Sequence, residues 1–302
     1  MAARNVTHSG SSIHYKRSFG DVIRGRKMRD FTWISVCTLL VMVGTVFVIT
    51  PILWMLSTSF KTMGEVFIIP PVWIPAAIQW ENYPKSLAFM RASTVYQNTT
   101  LVTLLCIIGE TLGSSLAAFG FSRLRAPGRN FLFVVMLSTL MLPFQVTLIP
   151  QFIIFKQLGW IDTLKPLVVP AFFGTPFFIF LLRQFYMTIS PEMDDAARID
   201  GCGYFGLWWR IIVPLSKPAL GVVAIQSFMF HWNEFMRPLI YLNTRSNYTA
   251  ALALRNFTAE YGATPWNELM AASLVMMLPC ILLFFIAQRY FIEGIVFTGV
   301  KG

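Results

Sequence analysis

Acidic side chains are sparse in this chain of 302 residues, which has only 14 Asp and Glu. Three of them, Asp194, Asp195 and Asp200, stand close together. Carboxylates so spaced can hold Mg²⁺, which would suit a membrane enzyme acting on lipid-linked phosphates. We expect such an enzyme to need a second acidic cluster, and the sequence has none. Arg198 lies in the same stretch, so the pattern favours ion pairing over a metal site.

The residues around these acids predict two short helices joined at a glycine. Ser190 is a good N-cap, and Pro191 suits the first helical position. Asp194 and Arg198 are four residues apart and can pair on one helix face. Gly201 offers the left-handed conformation that ends a helix.

A second helix is expected from residue 203 to about 212, with Pro214 marking its end. Its apolar and aromatic residues are Tyr204, Phe205, Leu207, Trp208 and Trp209. A loop this apolar either lies on a bilayer or is covered by a partner.

The elements that hold this loop are predicted to be membrane-spanning helices. The chain is 56% hydrophobic and 13% charged, with a mean hydropathy of +0.61, and a soluble domain would carry about twice that charged fraction. A span needs roughly 20 apolar residues. The candidate runs are 32–60, 92–122, 130–155, 166–182, 218–233 and 269–288. The sequence therefore predicts an all-α membrane protein with about six transmembrane helices, the third split by Pro143 and Pro150.

The basic residues predict the orientation of these helices. If the tail of residues 1–30 lies inside, most of the 24 Lys and Arg fall in inner segments, as the positive-inside rule requires. Both termini are then cytosolic, and residues 31–302 form one transmembrane domain. A basic tail suits anionic lipid headgroups, and nucleic acid explains it poorly. The four cysteines have no paired spacing, so neither a disulfide nor a zinc site is expected.

The inner loop resembles a known motif. The run Asp195-Ala196-Ala197-x-x-Asp200-Gly201, followed after nine residues by Ile211-x-Val213-Pro214, resembles the EAA loop of binding-protein-dependent ABC importer permeases. Asp195 stands where glutamate is usual and Val213 where leucine is usual, and both changes are chemically conservative. Segments such as 123–129, 145–150 and 232–235, together with the ending 299–302, resemble the MalG-type sugar permeases. The resemblance covers about residues 31–302.

This resemblance implies a fold, a function and a set of partners. It implies the type I ABC importer permease fold with a cytosolic coupling helix inside a coupling loop at about residues 190–214. The chain would form half of the translocation pathway for a sugar or oligosaccharide in the cytoplasmic membrane. The expected partners are a second, related permease subunit forming a heterodimer, two ABC ATPase subunits and an external solute-binding protein. The chain would be no enzyme and bind no cofactor, because ATP and Mg²⁺ would be held by the ATPase.

The resemblance also assigns residues to the ATPase contact. Those of the coupling loop are Asp195, Ala196, Ala197, Arg198, Asp200, Gly201, Ile211 and Pro214. A further ATPase contact is expected at the C-terminus, at Lys301 and Gly302.

Four residues are candidates for the solute pathway. Glu110 and Glu234 are acids within or at the end of a span, where a charge is costly and usually faces protein or water. Trp232 and Asn233, next to Glu234, could offer a stacking face and hydrogen bonds to a sugar. Alternatively, residues 232–234 brace the outer end of span five, and Glu110 serves helix packing or capping.

Two other sequence features bear on function. Residues 201–206 match GxGxxG, but they follow a helix instead of a strand, which argues against a dinucleotide site. A secondary transporter is an alternative, although repeated halves with matching helix breaks would be expected and are not evident. The sequence does not identify the solute.

Overall fold

The computed structural model describes residues 19–259 and 264–299, with side chains over 31–258 and 264–288. These residues form helices and turns, and no β-strand occurs among them. The α-helices are α1 Phe19–Ser59, α2 Met63–Val66, α3 Asn82–Met90, α4 Ala92–Arg123, α5 Arg129–Ser138, α6 Phe144–Gln157, α7 Lys165–Val168, α8 Pro176–Met187, α9 Pro191–Ile199, α10 Tyr204–Gly206, α11 Val213–Leu215, α12 Lys217–Asn233, α13 Met236–Tyr241, α14 Ala250–Leu254, α15 Asn256–Ala259 and α16 Trp266–Gly299. A π-helix, Leu207–Ile212, joins α10 to α11, and 3₁₀ helices occur at Thr139–Met141, Val169–Phe173 and Arg245–Asn247.

Within the described residues, four helical segments are long and apolar enough to cross a bilayer. They are Phe31–Ser59, Ala92–Arg123, Lys165–Met187 and Trp266–Gln288. Two bent helix pairs bring the number to six if each pair is one span. The prediction of an all-α membrane protein with about six spans is confirmed.

Proline accounts for the first of the two bends. Arg129–Met141 meets Phe144–Gln157 at 100°, and the break falls at Pro143, whose backbone is extended (ψ 137°). Pro150 lies inside α6 and does not end it, so the predicted split occurs at Pro143 alone. The second bend, of 81°, separates Tyr204–Leu215 from Lys217–Asn233.

The described residues fall into two units, one ending at Trp54 and the other beginning at Met55. In the first unit, α1 begins at Phe19, inside the segment assigned from sequence to the basic tail. Its residues between Phe31 and Ile49 are almost all exposed, and most of them are apolar. A surface of this kind is stable against hydrocarbon and unfavourable against water.

Helix α4 is the central element of the second unit and packs against both α8 and α12. At Gly113 and Gly174 the backbones approach so closely that a Cβ on Gly113 would lie 2.9 Å from the Gly174 nitrogen. Gly174 also has a positive φ of 77°, which favours glycine. Small residues at such a crossing let membrane helices pack closely. The middle of α4 and the start of α8 are thereby held against one another.

Candidate functional site

The first helix of the coupling loop forms as the sequence predicts. The Ser190 hydroxyl accepts a hydrogen bond from the Glu192 backbone N–H at 3.3 Å, and Pro191 occupies the first turn. The helix ends at Ile199, and Gly201 follows with φ +78°. Serine capping, proline at the start and a left-handed glycine after the end together fix this helix in place.

The second half of the loop differs from the prediction. Residues 204–215 form one helical run whose middle, Leu207–Ile212, is a π-helix. Pro214 does not end the run, which continues to Leu215 before α12 begins at Lys217. The wider π turn changes which side chains share a face, and such turns often occur at functional sites.

The apolar residues of the second half divide between core and surface. Leu207 and Trp208 are buried in a cluster with Leu182 and Tyr186 of α8. Tyr204, Phe205 and Trp209 remain exposed. The expected aromatic surface therefore exists, but it is made by three residues instead of five.

Most of the predicted ATPase-contact residues surround one depression between the two halves of the loop. Its volume is about 560 Å³, and its lining includes five of them, Ala196, Ala197, Asp200, Ile211 and Pro214. Gly201 forms the turn beside it. Asp195 and Arg198 lie outside the lining and form an exposed ion pair at 3.7 Å.

The predicted Asp194–Arg198 pair is wrong, because Asp194 is buried and turns towards α4. Its Oδ2 lies 3.1 Å from Nε of Arg123, and both side chains are 7% exposed. The Arg123 Nη2 also donates to the Ile189 carbonyl at 2.8 Å. Burial raises the pKa of the Asp194 carboxyl, and the neighbouring Arg123 opposes that rise. One arginine at the C-terminal end of α4 thus holds both the coupling helix and the residue before its N-cap.

A buried hydrogen-bond chain makes a second connection between the loop and the spans. Trp208 Nε1 donates to Ser115 Oγ at 2.9 Å, and Ser115 Oγ lies 2.7 Å from the Tyr186 hydroxyl. The chain therefore joins the π-helix to α4 and α8. Sequence reasoning missed Ser115, Tyr186 and Arg123, since their partners are 66 to 93 residues away along the chain. For Ser115, the signal available in the sequence was a small polar residue within an apolar span.

A second cavity, of about 550 Å³, lies between α4, the α7–α8 segment and α12. Glu110 lines it, and its Oε1 accepts a hydrogen bond from the Thr175 hydroxyl at 2.9 Å and lies 3.3 Å from Nε2 of His231. Gln226 and Arg237 add polar groups to a largely apolar wall. We call this space the α4–α12 cavity.

The other three pathway candidates lie away from the lining of the α4–α12 cavity. Trp232 is buried, stacks on Phe228 with ring centroids 5.3 Å apart and donates its Nε1–H to the Met276 carbonyl at 3.1 Å. The structure favours the bracing alternative for Trp232. Glu234 accepts from the backbone N–H groups of Met236 and Arg237 at 3.0 and 3.2 Å, so it caps α13. Exposed Asn233 donates to the Met229 carbonyl at 2.8 Å.

Lys301 and Gly302 lie outside the described residues. Across the searched residues, no group of three His, Cys, Asp or Glu side chains is placed to hold a metal ion. Of the three clustered acids, Asp194 pairs with Arg123 and Asp195 with Arg198.

Comparison with known proteins places the chain in a family. The family model for the inner membrane component of binding-protein-dependent transport systems matches residues 109–296, more than half of the chain. The chain belongs to this family. It is a membrane-spanning permease subunit of an ABC importer, a class in which a separate ATPase hydrolyses ATP, and it is located in the inner membrane.

Individual relatives and a solved structure agree with this class. A probable ABC transporter permease protein, YurM of Bacillus subtilis, is 34% identical over 257 residues, 83% of each chain. AraQ of Halalkalibacterium halodurans, an arabinooligosaccharides transport system permease protein, is 30% identical over 83% of this chain and 91% of its own. The fold is shared with a bacterial ABC transporter that imports the acidic polysaccharide alginate (TM-score 0.73, 22% identity, 91% and 99% of the two chains). Family membership decides against the secondary-transporter and lipid-phosphate enzyme alternatives.

Proposed function

We propose that this chain pairs with a second, related permease subunit and forms half of the pathway for a sugar or oligosaccharide. Two ATPase subunits would bind ATP and Mg²⁺ at the cytosolic face, and an external binding protein would deliver the solute. The name of the arabinooligosaccharide relative supports the solute class. The distribution of basic residues supports cytosolic N- and C-termini.

The observation that carries this proposal is the depression in the coupling loop. Its lining combines the small Ala196 and Ala197 with the exposed apolar side chains of Met193 and Leu215. Elsewhere in the loop, Ile199, Tyr204 and Phe205 are also exposed. An exposed apolar surface of this kind is unfavourable in water, so we expect it to bind a partner. Since the loop follows α8 and precedes α12, the partner would act on two spans at once. The C-terminal residues Lys301 and Gly302 are proposed as a further contact.

In the proposed mechanism, closure of the ATPase pair moves the coupling helix as a rigid body. The Asp194–Arg123 ion pair and the Trp208–Ser115–Tyr186 chain would carry that movement into α4 and α8. The spans would then rock between inward-open and outward-open states by hinge and shear motions. Glu110 would line the solute pathway, and Asn233 and Glu234 would stand near its outer end.

An assembly experiment tests the ATPase contact. Ala196 is exposed and lines the depression, so Ala196→Trp should fill it and release the ATPase from the purified complex while the second permease remains. Thr188→Trp, at an exposed site outside the depression, is the matched control and should retain all subunits. Full ATPase recovery with normal ATP-driven uptake in Ala196→Trp would refute the proposed contact.

A further inference from the structure

Two charged side chains, those of Glu110 and Arg237, line the α4–α12 cavity. Glu110 has the Thr175 hydroxyl at 2.9 Å and the His231 imidazole at 3.3 Å. Arg237 also lines the cavity, but its guanidinium forms no ion pair with any carboxylate among the described side chains. Among the described residues, Oε2 of Glu110 has no hydrogen-bond partner and the Arg237 guanidinium has no ion-pair partner. Both charged side chains of the cavity therefore have polar atoms left for a bound solute.

Aromatic rings hold the Arg237 guanidinium in place. Its Cζ lies 5.1 Å from the centroid of Phe144 and 5.5 Å from that of Phe230. Such contacts use the positive charge of the guanidinium and leave its five N–H donors unused. The nearest acid in sequence, Glu234, receives hydrogen bonds from the backbone N–H groups of Met236 and Arg237, which commits it to capping α13.

The surroundings of Arg237 make its charge hard to explain by packing. The cavity wall is mostly apolar, with Leu167, Phe177, Phe178 and Ile225 among its residues. A cation at this position is costly unless it faces water or binds a partner, and such residues commonly mark solute pathways. The planar guanidinium of Arg237, held near two aromatic rings, can donate two parallel N–H hydrogen bonds. This geometry suits a carboxylate or a phosphate, which can accept both.

We propose that Arg237 binds an anionic group, a carboxylate or a phosphate, on the solute as it passes through the α4–α12 cavity. The inference rests on the proposed function, because it requires the cavity to belong to the pathway. It extends that function by specifying the charge of the solute. The importer would carry an acidic or phosphorylated saccharide in preference to its neutral counterpart. A neutral sugar could also accept hydrogen bonds from Arg237, but it would have no net electrostatic attraction to the guanidinium.

The test uses the intact importer with its own binding protein in proteoliposomes. The probes are matched pairs: uronic-acid oligosaccharides against neutral oligosaccharides of equal length, and glycerol 3-phosphate against glycerol. Uptake of each pair is measured by mass spectrometry in the same vesicles, with and without ATP. Because the readout is a ratio within one preparation, poor assembly of a variant lowers both uptakes and leaves the ratio unchanged.

Three variants separate charge from structure. Arg237→Gln should lower the ratio of anionic to neutral uptake by about tenfold or more, the size expected for a lost hydrogen bond to a charged group. Arg237→Lys keeps the cation and should retain most of the preference. Lys156→Gln removes one positive charge from an exposed position outside the cavity and should leave the ratio unchanged.

The outcomes are distinguishable. ATP-driven uptake restricted to neutral probes, or an unchanged ratio in Arg237→Gln, would overturn the role of Arg237 and leave the importer assignment intact. The absence of ATP-driven uptake for every probe in the wild-type complex would instead count against the proposed function itself. The carboxylate and phosphate pairs show which oxyanion the site accepts.

Discussion

Gly201 turns the chain between the two halves of the coupling loop with φ +78°, at a position where an added Cβ would meet no atom within 4 Å. Gly201→Ala should therefore act through backbone strain alone and cost about 1–2 kcal/mol. Thermal unfolding of the purified complex should show a lower midpoint, and ATP-driven uptake should fall.

Gly203 is the matched control for this substitution. It also has open space for a Cβ, but its φ is −73°, so Gly203→Ala should leave the midpoint nearly unchanged. Equal midpoints for the two alanine variants would show that the left-handed turn does not contribute to stability.

The buried pair between Arg123 and Asp194 predicts a pH effect. Arg123→Gln leaves a buried carboxylate without its counter-charge, which should cost about 3–5 kcal/mol at neutral pH. Burial already raises the pKa of Asp194, and loss of Arg123 removes the opposing influence. The folded pKa then exceeds the unfolded one, so stability should recover as the pH falls through the raised pKa.

Thermal midpoints between pH 5 and 8 would measure this effect. The double variant Arg123→Gln, Asp194→Asn lacks the titrating group and should lose the recovery at low pH. The exposed Asp195–Arg198 pair supplies a second comparison, since Arg198→Gln should cost at most about 1 kcal/mol. A parallel pH dependence in the single and double variants would assign the effect to other groups.

At the scale of elements, the Trp208–Ser115–Tyr186 chain connects the π-helix to α4 and α8. Ser115→Ala should leave the buried Trp208 N–H without its acceptor, at a cost of about 1–3 kcal/mol. We expect uptake per ATP hydrolysed to fall severalfold while the ATPase subunits remain bound. The measurement is paired ATPase and uptake assays on reconstituted complexes.

Tyr186→Phe is the matched control, because it removes a hydroxyl from the same chain and keeps Ser115 as the acceptor for Trp208. It should have the smaller effect on coupling. An unchanged ratio of uptake to ATP hydrolysis in Ser115→Ala would mean that the chain only stabilises the fold.

The helical elements were largely predictable, and the contacts between them were not. Apolar runs gave the spans, because burial in hydrocarbon demands continuous apolar sequence. Ser190 and Gly201 gave the ends of the coupling helix, because capping is a local interaction. The partner of Asp194 was predicted wrongly, since local spacing offers Arg198, whereas the folded chain brings Arg123 from the end of α4.

The candidate site shows the same division between local and long-range information. Five of the predicted coupling residues line one depression, because the motif is continuous in sequence and its two helices are joined by a short turn. Trp232 illustrates the reverse case. Its burial depends on the carbonyl of Met276 in α16, 44 residues further along the chain.

At the scale of the whole molecule, the proposed orientation can be tested by chemical labelling. Ala77 and Ala126 are exposed. With a cytosolic N-terminus, Ala77 follows the first predicted span and lies outside, and Ala126 follows the second and lies inside. On a background lacking the four natural cysteines, Ala77→Cys should react with a membrane-impermeant maleimide in spheroplasts. Ala126→Cys should react only after permeabilisation. The opposite pattern would invert the topology and place the coupling loop outside.

The close contact of Gly113 with Gly174 divides α4 unequally. At a rise of 1.5 Å per residue, the arm from Gly113 to Arg123 is about 15 Å long and the arm to Ala92 about 30 Å. If α4 tilts as a rigid rod about this crossing, it is a lever with a mechanical advantage of about one half. A 2 Å displacement of Arg123 by the coupling helix would then move Ala92 by about 4 Å in the opposite direction, a difference that spin labels at the two ends would resolve. A small displacement of the coupling helix by the ATPase would in this way become a larger displacement at the outer end of the pathway.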